Sequence, residues 1–206
     1  MRKTRPLDAV TLRDLALSYV ARFATTGAKL EAYLARKVRE RGVAEDADGR
    51  MEELDIAGLV ADFAARGYID DEAYARAKSR DLTQRGYGKR RVEQALWAAG
   101  VEEDTRADAA PSEAQAREAA VVMAKKRRFG PFARPDASLL PGDEEPHDQD
   151  AQRKLSEKQI AAMLRAGHHY DHVRFILDAP QVSALEEWIE EAREDEAKEG
   201  FWDNGD

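Results

Sequence analysis

Three stretches of the chain place reactive side chains close enough together to suggest chemistry. In Gly67-Tyr-Ile-Asp-Asp-Glu-Ala-Tyr-Ala75, the acids Asp70, Asp71 and Glu72 stand in a row between an aliphatic residue and a tyrosine. Such a cluster could hold a divalent cation or move protons. It also has the form of a helix start. With Asp70 as N-cap, Asp71 and Glu72 fall in the first turn, where carboxylates favour the positive end of the dipole. Ile69 and Tyr74 then occupy the two positions of a hydrophobic staple, and Gly67 suits a left-handed cap on the preceding helix. A metal site would need further ligands that the sequence does not identify. The expectation is a structural junction built on Gly67, Asp70, Asp71 and Tyr74.

The second stretch is His168-His169-Tyr170-Asp171-His172. His168 and His172 are one helical turn apart and could share a metal with Asp171. However, Gly167 immediately before them reads as a helix cap, which puts His168 outside the following helix. No HExxH-type base is present, and the fourth histidine, His147, lies in a proline-rich loop. These histidines are read as structural or surface residues, and neither a metal nor a cofactor is expected. The chain also lacks a Walker-type phosphate loop, a dinucleotide-binding glycine pattern and a nucleophile elbow. No catalytic residue and no small-molecule substrate are assigned, and the chain is not read as an enzyme.

The third candidate is a set of basic clusters: Arg36-Lys37 with Arg39 and Arg41, Lys89-Arg90-Arg91, and Lys125-Lys126-Arg127-Arg128. Taken singly, each is a solvated helix face, and the first and third lie where cations complement helix C-termini. Lys89-Arg91, by contrast, opens a helix, the end at which surface electrostatics prefer acids. This placement points to an anionic partner. Arg36, Arg39, Lys89, Arg90, Lys125, Lys126, Arg127 and Arg128 are the partner-binding candidates.

The elements that must position these residues are helical. Leu12, Leu15, Ala16, Tyr19, Val20 and Phe23 form one apolar stripe on a helix from about 8 to 24. Further stripes mark helices that begin near Leu30 and near Ile56. No convincing two-residue alternation occurs between residues 8 and 130. The second helix repeats: Leu34, Val38 and Gly42 return as Val92, Leu96 and Gly100, and again as Ile160, Leu164 and Gly167 with the glycine one position early. A longer helix candidate precedes each copy (8–24, 70–85, 112–128). A third helix follows clearly in the first and last copies, whereas residues 102–110 have almost no apolar face. Three stacked three-helix repeats are therefore expected: 7–66, 67–110 and 111–180, after a basic lead-in at 1–6.

Composition supports small helical units. The chain has 206 residues, of which 43% are hydrophobic and 36% charged, and it has no cysteine; its mean hydropathy is -0.69. Disulfides and thiolate sites are excluded, no apolar run approaches a membrane span, and a cytoplasmic location is expected. The net charge of -8 is unevenly spread. Residues 186–206 hold ten acids and two bases, so the body up to 185 is neutral. Within that body, 131–151 carries six acids, one base and four of the seven prolines, and reads as an acidic insertion in the third repeat. The segment 181–206 is expected to be a mostly disordered acidic tail after a possible helix around Leu185, Trp188 and Ile189.

Residues 67–101, Gly-Tyr-Ile-Asp-Asp through the basic helix to Gly100-Val101, resemble the central block of the RecX family of bacterial recombination regulators. Residues 120–132 and 158–177 resemble the family's following basic run and its last repeat. The resemblance covers about residues 10–180 without 131–151. It implies an all-α protein of three tandem three-helix repeats forming an elongated, curved array, and a monomer. The implied partner is the RecA filament, bound along its helical groove, with inhibition of RecA's ATPase, strand-exchange and co-protease activities, and with any DNA contact made through the filament. A role in DNA repair and the SOS response follows from the same resemblance. The competing expectation is a free-standing DNA binder using one triplet as a helix-turn-helix unit.

Overall fold

A computed structural model of the chain describes residues 5–45, 48–133 and 149–203. Among these residues the fold is all helical: α1 (Ala9–Val20), α2 (Gly27–Arg41), α3 (Ile56–Ala65), α4 (Asp71–Gln84), α5 (Lys89–Trp97), α6 (Glu103–Asp108), α7 (Glu113–Arg127), a 3-10 turn (Gly130–Phe132), α8 (Gln149–Arg165), α9 (Tyr170–Asp178) and α10 (Val182–Asp203). The only extended pairings are two isolated bridges, Leu7 with Val43 and Glu45 with Met51. Most of the basic lead-in and residues 134–148 of the acidic insertion lie outside the described residues.

The helices pack into two compact units. One runs to Ala77 and takes in Leu96–Ala109; the other comprises Lys78–Ala95 and the chain from Ala110 onward. The boundaries of the sequence repeats and of the packed units therefore differ, because α4 and α5 each contribute to both.

In the first unit, Leu7, Leu12, Ala16, Leu30, Leu34, Phe63 and Ile69 form the core. Burying each large aliphatic or aromatic side chain stabilises the fold by about 2 kcal/mol. Gly67 has φ +72°, and the N–H groups of Gly67 and Tyr68 return to the carbonyls of Ala64 and Phe63. Asp70 caps α4, its Oδ1 accepting the Ala73 N–H at 2.7 Å. Asp71 reaches further than a first-turn charge requires: its Oδ1 accepts the Gly27 N–H at 3.0 Å, which satisfies a donor at the start of α2. Tyr74 likewise extends beyond a staple, since its hydroxyl accepts from Lys29 Nζ and its ring lies 4.6 Å from that ammonium. Asp70 and Asp71 are thus satisfied by backbone donors, and Glu72 pairs with Arg76 at 3.2 Å. Replacing Asp71 with alanine is expected to cost about 1–2 kcal/mol, read as a lower urea midpoint with an unchanged m-value.

The start of α2 also receives the end of α5. The Thr26 hydroxyl accepts the Lys29 N–H at 3.2 Å and donates to the Ala99 carbonyl. Gly100, with φ +73°, lies so near that a Cβ there would be 2.3 Å from the Ala28 Cβ.

The second unit is centred on Ala120, Met123, Ala124, Met163, Val173, Ile176, Leu185 and Trp188. The inner face of α7 is built largely of alanines (Ala114, Ala116, Ala119, Ala120, Ala124) with Met123, which lets a neighbouring helix come close. That neighbour is α10, and here the sequence expectation needs correction. Residues 182–203 form a helix, not a disordered tail. Leu185, Trp188 and Ala192 make a buried stripe at helical spacing. Polar contacts hold the rest. Glu196 accepts the Ala114 N–H at 2.7 Å, adding a cap to α7, and Arg193 pairs with Glu118 and Glu190. Composition registered the charge of this segment but not the stripe that anchors it.

Candidate functional site

Lys89, Arg90 and the histidines of the second unit meet where α5 begins. Two backbone donors at this point are taken by the end of α8: Gly88 N–H donates to the Ala166 carbonyl at 3.0 Å and Arg90 N–H to the Gly167 carbonyl at 3.2 Å. The two helices thus meet end to end, C-terminus to N-terminus. This explains why Lys89-Arg90-Arg91 is tolerated at a helix start, since the carbonyl end of α8 offsets the positive end of α5. The approach requires glycine on both sides. A Cβ on Gly88 would lie 2.3 Å from the carbonyl carbon and oxygen of Gly167, and one on Gly167 would lie 2.4 Å from Arg91 N.

Beside this joint lies a cleft of about 670 Å³. Lys89 and Arg90 contribute cations, Glu93, Glu113 and Asp171 contribute carboxylates, and Phe175 and Trp188 form its aromatic wall. The Phe175 and Trp188 rings stack with centroids 4.5 Å apart, and Phe175 is 41% exposed. Arg117 ties the wall together by donating to the Trp188 carbonyl at 2.6 Å, placing its guanidinium 4.8 Å from the Trp188 ring and bonding Glu113 at 2.8 Å. Burial pushes the Glu113 carboxyl up, but bonds from Arg117 and His172 outweigh it and leave the group below its ordinary value. A cleft of mixed charge with an exposed aromatic suits a protein segment.

The histidines diverge. His168 is buried, with Nε2 3.1 Å from the Gly86 carbonyl oxygen and Nδ1 unpartnered. His169 lies 3.4 Å from Asp171, and His172 Nε2 is 2.9 Å from Glu113. Each has its own role, and among the described residues no group of three or more His, Asp or Glu could hold a metal ion.

The basic candidates are divided between the two units. Arg36 pairs with Glu40 at 3.7 Å and packs over Tyr33, and Arg39 is exposed, both on α2 in the first unit. Lys89 and Arg90 rim the cleft. Lys125, Lys126, Arg127 and Arg128 are exposed at the far end of α7, where Lys126 donates to the Arg85 carbonyl at 3.0 Å and Arg128 ends the helix at φ +59°. Glu113, Arg117, Phe175 and Trp188 were not anticipated; the four-residue spacing of Glu113 and Arg117 was the available sign.

A family model described as RecX, second three-helix domain, matches residues 70–109. The chain is 29% identical over 182 residues to the Regulatory protein RecX of Myxococcus xanthus, covering 86% of this chain and 90% of that one. The crystal structure of RecX from Lactobacillus salivarius superposes with a TM-score of 0.56 at 17% identity, covering 82% of this chain and 93% of that chain. All three comparisons point to the same family, RecX, to which this chain is similar over most of its length. The RecX match at 70–109 begins at Asp70, includes Lys89 and Arg90, and falls within the second sequence repeat. The similarity to the Lactobacillus RecX is one of fold, an all-helical array. Among the described residues, no helix is long and apolar enough to cross a membrane.

Proposed function

We propose that this chain is a regulator that binds RecA nucleoprotein filaments along the helical groove and restrains RecA's ATPase, strand-exchange and co-protease activities. The observation that carries this reading is the match of residues 70–109 to the second RecX domain. Its exposed Lys89 and Arg90 stand on the rim of the mixed-charge cleft. The name of the Myxococcus relative, a regulatory protein, supports it. Lys89 and Arg90 are the first choice of contact residues, with Phe175 as the aromatic anchor. The clusters at Arg36 and Arg39 and at Lys125–Arg128 serve as additional cationic contacts.

The test is DNA-dependent ATP hydrolysis by RecA on single-stranded DNA, followed as the purified chain is added up to equal molar ratio. Hydrolysis is expected to slow, and the Lys89→Glu/Arg90→Glu variant is expected to need at least about tenfold more protein for the same effect. Unaltered hydrolysis in the presence of demonstrably folded protein would reject the proposal. Tight binding to naked duplex with no effect on RecA would favour direct DNA binding instead.

A further inference from the structure

A second, smaller depression of about 330 Å³ lies at the joint of α5 and α8, lined by Arg90, Arg91, Gln94, Leu164, Arg165 and Gly167. Several arginines of this chain are held by a carboxylate: Arg13 by Asp62, Arg76 by Glu72, Arg85 by Asp81, Arg153 by Glu157 and Arg174 by Asp178. None of the three guanidiniums of this groove forms an ion pair among the described residues. Arg91 donates only to Gln94 Oε1, at 2.9 Å, which leaves the Gln94 amide nitrogen as one more donor.

Three arginines with no carboxylate partner among the described residues define the ligand. A carboxylate has two oxygens and one charge, and a single arginine fork satisfies it. Three arginines lining one depression match a group with more oxygens and a charge near about −2, as a phosphate has. We propose that this groove is a phosphate-binding site, taking either the phosphate chain of a free nucleotide or the phosphates of a nucleic-acid strand. The site does not depend on the filament reading, and its test contains no RecA.

Calorimetric titration at low salt would use two probes, inorganic pyrophosphate and an oligothymidine with hydroxyl ends. Binding of pyrophosphate, weakened about tenfold or more by Arg165→Gln, supports the site with a free phosphate as source. Binding of the oligonucleotide, with a salt slope reduced by about one in Arg165→Gln, supports it with a strand as source. Arg153→Gln, which removes an arginine already held by Glu157 on the same helix, is expected to bind like the parent. The proposal is overturned if neither probe binds, if Arg165→Gln binds both as the parent does, or if polyglutamate binds as tightly as pyrophosphate. Helical circular dichroism of each variant establishes that it is folded.

Discussion

Gly88→Ala is expected to destabilise the second unit by about 3 kcal/mol, near the upper range for overpacking. The new methyl group would lie 2.3 Å from the backbone of Gly167 and 2.4 Å from His168 N. These are main-chain atoms, so no rotamer change can relieve the contact; the helix ends must separate, and the bonds from Gly88 and Arg90 to Ala166 and Gly167 would break. Gly167→Ala adds backbone strain at φ +92° to a 2.4 Å contact with Arg91 N. Gly42→Ala is the internal comparison. It also has a left-handed φ, +78°, but nothing lies within 4 Å, so its cost is limited to about 1 kcal/mol. Urea unfolding of the three variants would show the ranking. Equal losses at positions 42 and 167 would mean that conformational strain, not the helix joint, sets the requirement for glycine at position 167.

The second large effect is a loss of stability in acid. Burial, opposed by the bond to the Gly86 carbonyl and aided by the nearby His172, lowers the His168 pKa to about 4. The folded value lies below the unfolded value near 6.5, so the unfolded chain binds the extra proton first as pH falls. The contribution is complete above pH 6.5 and is lost as pH drops towards about 4, by about 3 kcal/mol in total. In His168→Gln this part of the acid limb should vanish, whatever the stability of the variant at pH 7. Urea midpoints at pH 7, 5 and 4 measure it. Parallel pH profiles for the two proteins would show that His168 is not buried as a neutral ring.

The helical plan was legible because its information is local. Leu34, Val92 and Leu96 were chosen from four-residue spacing, and all three are buried. The start of α4 was equally readable, since an Asp70 cap depends on the next three residues. What escaped depends on distant partners. Gly100 and Gly167 read as helix stops, but their second role, admitting the start of another helix, requires Ala28 and Gly88, far away in the chain. The unusual basic start of α5 pointed only to an outside anion, because the carbonyls of Ala166 and Gly167 had no local signature. The tail failed for a related reason. Ten acids dominate its composition, while three residues, Leu185, Trp188 and Ala192, decide its fold once the alanine face of α7 is available.

The pinning of α10 changes what its charge can do. On a free coil, carboxylates form a diffuse cloud that sweeps over tens of ångströms and repels any anion without regard to direction. On a helix clamped through Trp188, Arg193 and Glu196, the exposed Glu186, Glu187, Glu190, Glu191, Glu194 and Asp195 keep fixed bearings. The field they produce therefore has an orientation, weak on one side of the second unit and strong on another. An approaching polyanion would feel a torque as well as a repulsion, so this helix is equipped to select the angle of encounter.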